Sequence, residues 1–160
     1  MKKIFKLFLL LMPVAAAAQQ LPPGLLGGML KSDSWVIRKD AQQEEFKGNV
    51  SYDSALYKLK SDYALSDRAK NTFTLDGSVY LMNKDTSGAT LELYSKNAVF
   101  NTLNKQGRAA AYAQKPLRLI YVVPQSYKAE AEGKTLNIDG KKSTLEIKDN
   151  VKIKYIAPYD

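Results

Sequence analysis

The feature that most constrains the fold of this chain is an alternation of apolar and polar residues. In residues 70–81, KNTFTLDGSVYL, every second position from Phe73 holds an apolar residue or glycine. The same pattern returns 72 residues later, within residues 142–155, KSTLEIKDNVKIKY. Because successive side chains of a β-strand point to opposite faces, this period of two predicts strands with one apolar face.

The alternation continues from Trp35 to Tyr155, where helical spacing is nearly absent. It predicts many short strands, separated by turn segments rich in Asp, Asn, Gly and Pro. The predicted strands are Trp35–Arg38, Glu45–Tyr52, Ala55–Leu65, Thr72–Asn83, Ala89–Asn101, Gly107–Ala113, Leu117–Val123, Tyr127–Glu132, Thr135–Asp139, Ser143–Lys148 and Asn150–Tyr155. Such a series indicates an antiparallel all-β domain, which can be a sandwich, a jelly roll or a barrel.

Three segments of the chain share one plan of strand, turn, strand, kink and strand. They cover residues 57–81, 91–120 and 127–155, and their starts are 34 and 36 residues apart. A partial unit precedes them and contains Gly48, Asn49 and Val50. One unit cannot bury its apolar face alone, so stacked units are expected to form a continuous apolar channel.

The N-terminus has the three parts of a secretory signal peptide. A basic start, an apolar run over residues 7–14 and small residues at a cleavage site follow one another in residues 1–18. We expect cleavage after residue 18, a flexible lead-in over the Pro- and Gly-containing residues 19–34, and a folded domain over residues 35–157. A retained anchor is the alternative, although the apolar run is shorter than the ~20 residues that span a bilayer.

The charge of the chain narrows the possible partners. The formal net charge is +8, and the part that follows the signal peptide carries 21 basic and 16 acidic residues. This mild excess fits either an anionic partner or solvated surface lysines, and the lack of a dense Lys/Arg block argues against nucleic acid. The sequence contains no Cys, which excludes disulfides and thiolate metal sites.

An enzyme is the competing class of function. The chain has no His, no Cys and no G-x-S-x-G motif, so the usual nucleophile and base pairs are missing. Three carboxylate pairs lie on predicted turns or polar faces, where a solvated charge is the default. They are Asp62 with Asp67, Glu44 with Glu45, and Glu130 with Glu132. We therefore expect no catalysis, no metal site and no cofactor.

The kink motif of the units carries a resemblance to a known family. It reads EEFKGNVSY at residues 44–52, FTLDGSVYL at 73–81 and, with Asp149 in place of Gly, LEIKDNVKIKY at 145–155. Through this repetition, residues 35–155 resemble the OstA-like family, whose members LptA and LptC carry lipopolysaccharide across the periplasm of Gram-negative bacteria. The middle unit departs from the pattern, because it lacks Gly-Asn-Val and contains Pro116, which indicates an edge, a bulge or the lip of a groove.

The resemblance implies an incompletely closed antiparallel β-jelly roll whose apolar interior holds lipid acyl chains and whose ends pair with neighbouring proteins. The expected function is then to shuttle or bridge lipopolysaccharide from the inner to the outer membrane, in the periplasm. The expected partners are lipopolysaccharide or lipid A, inner-membrane LptC-like proteins and outer-membrane LptD-like proteins. The alternatives are a membrane-anchored LptC-like component and a closed β-sandwich of the envelope without a lipid ligand, since alternation suits an open groove and a closed core equally.

Three groups of residues are candidates for the functional surfaces. The groove lining consists of alternating positions of one parity: Tyr57, Leu59, Phe73, Leu75, Val79, Leu81, Leu91, Leu93, Leu119, Leu136, Ile138, Leu145, Ile147, Val151 and Ile153. The headgroup rim consists of cations near Pro116, namely Arg108, Lys115 and Arg118. The assembly edge comprises residues of the first and last predicted strands: Trp35, Val36, Ile37, Val151, Lys152, Ile153 and Tyr155. Complementary edges would join copies head to tail, although lysines on an edge strand also serve to block pairing.

Overall fold

The structure is a computed structural model that describes residues 28–158. Within this range the chain forms twelve strands, all paired antiparallel in one sheet. The strands are β1 (Met29–Lys31), β2 (Ser34–Arg38), β3 (Gln43–Asp53), β4 (Tyr57–Asp67), β5 (Thr72–Lys84), β6 (Thr90–Asn101), β7 (Gln106–Ala110), β8 (Leu117–Val123), β9 (Tyr127–Gly133), β10 (Thr135–Asp139), β11 (Thr144–Lys148) and β12 (Lys152–Ile156). The predicted signal peptide and residues 19–27 lie outside the described residues.

Each of the eleven predicted strands is present in the structure, although some ends differ. The largest difference is in β7, which ends at Ala110 rather than at Ala113, because the chain leaves the ladder ahead of Pro116. Alternation thus located the strands well, and the errors lie at their ends, where turn residues dominate the local conformation.

One further strand lies in the segment that was expected to be a flexible lead-in. β1 pairs with β3 from Met29 opposite Asp53 to Lys31 opposite Ser51, and Leu30 packs against the core. A strand of three residues is too short for an alternating pattern to reveal, and its conformation is imposed by the ladder with β3. The ordered part of the chain therefore begins before Trp35.

The long strands β3 to β6 bend near their middles, along one line that crosses the sheet. At this line the register of the ladder shifts between Lys47 and Val50 in β3, and between Asp76 and Val79 in β5. The bends divide the sheet into two half-sheets. The first half-sheet contains β2, β7, β10 and β11 with the adjoining halves of the long strands, and the second contains β1, β8, β9 and β12 with the other halves.

β6 is the strand at which the sheet forks. Its segment Asn97–Asn101 pairs with β7, whereas Thr90–Tyr94 pairs with β8. From there the first half-sheet continues through β10 to β11, and the second continues through β9 to β12. Residues 111–116 connect the two branches, so this segment lies at the fork.

The repeated sequence motif forms bends of the chain. The two residues before the valine of the motif adopt positive φ in each copy. They are Gly48 (76°) and Asn49 (48°), Gly77 (77°) and Ser78 (49°), and Asp149 (65°) and Asn150 (55°). In β3 and β5 these two residues oppose a single residue of the neighbouring strand, which is the arrangement of a β-bulge. A bulge bends its strand and increases the local twist, so the repeat encodes the line along which the sheet folds.

The core takes residues from both half-sheets and forms one cluster. Most positions of the predicted inward parity belong to it. Ten of the fifteen are buried, Leu119, Leu145 and Ile147 are half-buried against the core, and Val151 and Ile153 are exposed. The thirteen predicted positions up to β11 are therefore buried or half-buried, and the two exposed ones lie at the last strand.

Strict alternation fails where β6 crosses the bend. Leu93 and Ser95 are buried, but the next buried residues are Ala98 and Phe100, and Val99 is 42% exposed. At this level β5 contains one extra residue, the bulge, and β6 contains none. The inward-facing positions of β6 therefore change from odd to even residue numbers, and both halves of the strand face the core.

The sheet does not close on itself. β1 and β2 pair with β3 at one end, while β11 pairs with β10 and β12 pairs with β9 at the other. Between residues 28 and 158 no ladder joins these two ends. The structure is therefore an all-β, antiparallel and incompletely closed jelly roll, and the closed sandwich considered from the sequence does not describe it.

The bend in β5 predicts that replacement of Gly77 destabilises the fold. Replacing it with alanine should lower the free energy of unfolding by roughly 2 kcal/mol, because the positive φ is strained for a side chain. The added Cβ would also lie 2.8 Å from the Cβ of Asp62. Gly88→Ala is the matched control, since its φ of 84° is similar but the nearest atom, Cγ of Pro124, lies 3.6 Å away. Urea unfolding should rank the control as the milder change, and equal losses would show that contact with Asp62 does not restrain the bend.

Candidate lipid groove and strand edges

The inward faces of the half-sheets are lined by rows of apolar side chains that run across the strands. In the first half-sheet one row joins Leu75, Ala98, Ala109, Leu136 and Ile147 in register. The first four are buried, and the last is half-buried. Such a row is a continuous apolar path from the middle of the sheet toward β11.

A matching row crosses the second half-sheet and becomes exposed along its length. It joins Leu59, Leu81, Leu93, Leu119, Ala131 and Ile153. The exposed fraction is 4% at Leu59 and 57% at Ile153. The apolar inward face is therefore accessible at the β12 end of the sheet.

The opposite end of the sheet also presents apolar side chains. On β2, Trp35 is 59% exposed, and its ring lies parallel to that of Phe46, with the ring centroids 6.2 Å apart. Ile37, two residues further along the same strand, is 51% exposed. Together with Ile153 and Tyr155 on β12, these residues leave apolar surface open at both ends of the jelly roll.

Several interior residues were not among the predicted groove positions. Phe46, Val50 and Tyr52 have the same inward parity along β3, and the motif EEFKGNVSY would have identified them. Ala98 and Phe100 could not be found in this way, because the parity of β6 changes at the bend.

Three serines on β4 and β6 are also buried: Ser61, Ser66 and Ser95. The hydroxyl of Ser95 donates a hydrogen bond to the carbonyl oxygen of Asn97. The hydroxyl of Ser61 has no hydrogen-bond partner among the described residues. No pattern in the sequence distinguishes such buried serines from serines on a polar face.

The structure brings only two of the three predicted rim cations together. Lys115 and Arg118 line one cleft of about 460 Å³ at the fork. Arg108 does not line it, because it lies on β7 in the first half-sheet, opposite Val99 and Asn137. All three side chains are exposed, and Arg108 and Arg118 alternate with buried residues, so both point away from the core. Contact of these cations with a lipid headgroup stays a prediction.

The predicted assembly edges lie where the sheet is open. β2 pairs with β3 on one side and β12 pairs with β9 on one side, and no described strand pairs with their other sides. The side chains of Val36, Val151 and Tyr155 are exposed. Lys152 and Lys154 are opposite Glu132 and Glu130 of β9, on the face away from the core. An unpaired edge with these side chains is able to accept a strand of another chain.

The edge strand β2 is fixed to the sheet by an ion pair. Arg38 donates a hydrogen bond of 2.7 Å to Glu45, and the Tyr63 hydroxyl donates one of 3.0 Å to the same carboxylate. These two hydrogen bonds, with that of Arg38 the stronger, hold the pKa of Glu45 below its usual range. Glu44, its neighbour in sequence, pairs instead with Arg68 at 2.9 Å.

Two of the other carboxylates that were considered for catalysis, Asp67 and Glu130, also take part in structural contacts. Asp67 accepts a hydrogen bond from Gln43, and this bond and the one from the backbone N–H of Lys70 lower its pKa. Glu130 pairs with Lys128 at 2.6 Å. In the described part of the chain no three Asp or Glu side chains come close enough together to hold a metal ion. None of the elements of residues 28–158 is a helix long and apolar enough to cross a membrane.

The Glu45 ion pair predicts how stability depends on pH. A carboxylate with a lowered pKa in the folded state stabilises the fold above its unfolded pKa, and this contribution is lost as the pH falls through the folded value. Glu45→Gln should therefore be less stable than the wild type at neutral pH, and the difference should shrink on acidification. Glu146→Gln is the control, because its pair with Lys148 is exposed and such pairs contribute little. Urea unfolding at neutral pH and at a pH below the folded-state pKa of Glu45 measures this difference. A loss of stability that is the same at both pH values would contradict the role of the charge.

Comparison with known proteins identifies the fold. No protein-family profile and no curated protein sequence matches the chain. Among solved structures it matches LptH, the LptA homologous periplasmic component of the conserved lipopolysaccharide transport device from Pseudomonas aeruginosa. The match covers 86% of this chain and 100% of that chain, with a TM-score of 0.65 and a sequence identity of 12%. The jelly roll described here therefore has the LptA-like fold.

Proposed function

We propose that this chain is a periplasmic carrier that holds the acyl chains of lipopolysaccharide in its apolar interior and passes the lipid between the inner and outer membranes. The observation that carries the proposal is a sheet that stays open while its apolar inward face continues to both exposed ends. The likeness to LptH supports it, because that protein belongs to a lipopolysaccharide transport device.

The interior suits acyl chains for a simple energetic reason. Each methylene group removed from water contributes about 0.8 kcal/mol, so a row of aliphatic side chains gives affinity that grows with chain length. The charged sugars of the lipid would stay outside, because burial of a phosphate without partners is costly. Lys115 and Arg118 at the fork are the cations best placed to meet them, and Arg108 would have to act separately.

The two open ends support a bridging role. β2 and β11 are the terminal strands of the first half-sheet, and β1 and β12 are those of the second. A second copy, or a relative with similar ends, would continue both half-sheets by strand addition and join the apolar interiors. Such a contact uses different surfaces on the two partners, so it builds open filaments rather than closed dimers. Inner-membrane LptC-like and outer-membrane LptD-like proteins are the proposed partners at the ends.

The groove is tested by crosslinking at residues of opposite parity. A photo-reactive residue at Leu75 or Ile147, which share one inward row, should capture lipopolysaccharide. The same residue at Thr74 or Lys148 should not, because these neighbours point to the other face. Mass spectrometry of the crosslinked protein from envelope membranes measures the capture. Equal capture at both parities would contradict the groove, and no capture at either would indicate a protein without a lipid ligand.

The bridge is tested by sedimentation of the mature chain. Concentration-dependent oligomers should form, and a chain that ends at Asp149, without β12, should not form them. Because loss of a strand also uncovers β9, Ile153→Lys with Tyr155→Lys in the full chain is the milder variant and should have the same effect. Lys154→Ala, on the opposite face of β12 and outside the predicted assembly edge, is the control and should still associate. A strict monomer at high concentration would leave only pairing with different partners.

A further inference from the structure

The outer face of the second half-sheet contains a composite surface that lies outside the apolar groove. Two adjoining clefts, of about 460 Å³ and 700 Å³, are both lined by Tyr80 and Tyr94. The first cleft extends from these rings to the fork, and the second extends to β1. We name the two clefts together the outer tyrosine surface.

One cross-strand row forms the floor of this surface. It joins Lys31, Ser51, Lys60, Tyr80, Tyr94 and Arg118 in register, one residue from each of six neighbouring strands. Each alternates with residues of the core, such as Leu59 and Leu81, and therefore points outward. With strands about 4.8 Å apart, the row extends over roughly 24 Å.

The two tyrosine rings are held in place by their neighbours. Their centroids are 5.0 Å apart with an angle of 45° between the planes, and the Tyr80 hydroxyl donates a 2.7 Å hydrogen bond to Glu92. The guanidinium carbon of Arg118 lies 6.0 Å from the centroid of the Tyr94 ring. Partial burial raises the pKa of both hydroxyls, so they remain neutral and able to form hydrogen bonds. Tyr94 is still 38% exposed, which leaves an oriented ring open to a ligand.

The loop at the fork closes one end of the surface. The Tyr112 hydroxyl accepts a 2.8 Å hydrogen bond from the backbone N–H of Ser78, which ties residues 111–116 to the bend of β5. This contact places Lys115 and Pro116 in the wall of the cleft beside Arg118. The interruption at Pro116 therefore shapes a recess on the outer face.

The lining of the surface carries a positive charge, and Glu92 and Glu130 contact Tyr80 and Arg118 at its border. Five cationic side chains and two carboxylates line the two clefts: Lys31, Lys58, Lys60, Lys115 and Arg118, with Asp53 and Glu132. No carboxylate of residues 28–158 lies within ion-pair distance of Lys31, Lys60 or Lys115. Arg118 and Lys58 make only long contacts, of 3.7 Å to Glu130 and 3.8 Å to Asp53. These cations are available to an anionic ligand.

We propose that the outer tyrosine surface binds an anionic oligosaccharide, with sugar rings against Tyr80 and Tyr94 and with phosphate or carboxylate groups at the cations on either side. A tyrosine ring offers an apolar face and a polar tip, which matches the mixed surface of a sugar ring. Lys60 and Arg118 lie on either side of the tyrosine pair, roughly 15 Å apart over three strand spacings, which suits a short oligosaccharide. The charge is too sparse for the continuous phosphate backbone of a nucleic acid. The site is complete without lipid in the groove.

The binding test uses oligosaccharides that carry no lipid. Tetragalacturonate, an anionic probe, should bind the mature chain saturably and shift the amide resonances of β5, β6 and β8. Maltotetraose, of similar length but neutral, should bind at least about tenfold more weakly. The acidic peptide tetraglutamate tests charge alone, and an oligothymidylate tests nucleic acid. Equal binding of tetraglutamate, tighter binding of the oligothymidylate, or no saturable binding of tetragalacturonate would overturn the proposal.

Variants locate the site. Lys60→Glu with Arg118→Glu should weaken tetragalacturonate binding at least about tenfold, because both flanking charges are reversed. Lys141→Glu with Lys142→Glu makes the same change of charge in the exposed turn between β10 and β11 and should leave binding within about twofold. Tyr94→Leu should weaken binding while Tyr94→Phe retains most of it, since only the latter keeps the ring. Equal effects of the two charge variants on binding would contradict the assignment of the site to the outer tyrosine surface. Equal binding by the Tyr94→Leu and Tyr94→Phe variants would contradict it as well.

Two further comparisons identify the source of the sugar and separate this proposal from the lipid groove. If fully deacylated lipopolysaccharide displaces tetragalacturonate, the saccharide is the outer part of the carried lipid, and otherwise it is a separate anionic glycan. Both results keep the saccharide site. Lipid capture at Leu75 should persist in the Tyr94→Leu variant, because the Tyr94 ring takes no part in the proposed lipid groove or its headgroup rim. Loss of saccharide binding with capture retained would confirm two separate sites, and loss of both in a folded variant would contradict an independent outer site.

Discussion

The structure depends on one constraint: every long strand must bend along a common line without turning its apolar face away from the core. The bulges at Gly48-Asn49 and Gly77-Ser78 meet this constraint in β3 and β5, because two left-handed residues redirect the chain while inward parity is kept. Strands without two consecutive residues of positive φ, such as β6, meet this constraint differently. In β6 the buried positions have odd residue numbers before the bend and even numbers after it. Neighbouring strands therefore use different local solutions to reach the same bend, and the half-sheets share one core.

This constraint explains how much of the fold was predictable. Alternation located eleven strands, since it is a property of the local sequence. The exposed Val99 and the buried Phe100 were not predictable from a strict period, because the parity of β6 is set by a bulge in a different strand. β1 was missed for a related reason: three residues become a strand because β3 offers a partner.

The candidate site was predictable to a smaller degree. The groove positions follow from parity, and their burial agrees with it up to β11, but burial alone does not distinguish a lipid groove from a core. The headgroup rim was predicted from cations that are close in sequence. At a fork, residues that are close in sequence can lie on different branches of the sheet. Arg108 and Arg118 are ten residues apart, yet they lie on branches that diverge at β6. The outer tyrosine surface gave no sequence signal, because its residues come from six strands that only the register aligns.

In the proposed carrier function, an open sheet would let an amphiphilic ligand keep its polar part outside the apolar interior. Leu117 and Arg118 are consecutive on β8, and one is buried in the core while the other lines the outer cleft. The wall between the apolar interior and the cationic outer face is thus a single strand thick. A lipid with acyl chains inside needs its polar part to leave the interior where the sheet is interrupted, and the fork between β7 and β8 is such an interruption. The loop held by Tyr112 lies at this fork and lines the outer recess. The departure of the middle repeat from the pattern thus coincides with the place where one strand presents an apolar side chain to the interior and a cation to the outer face.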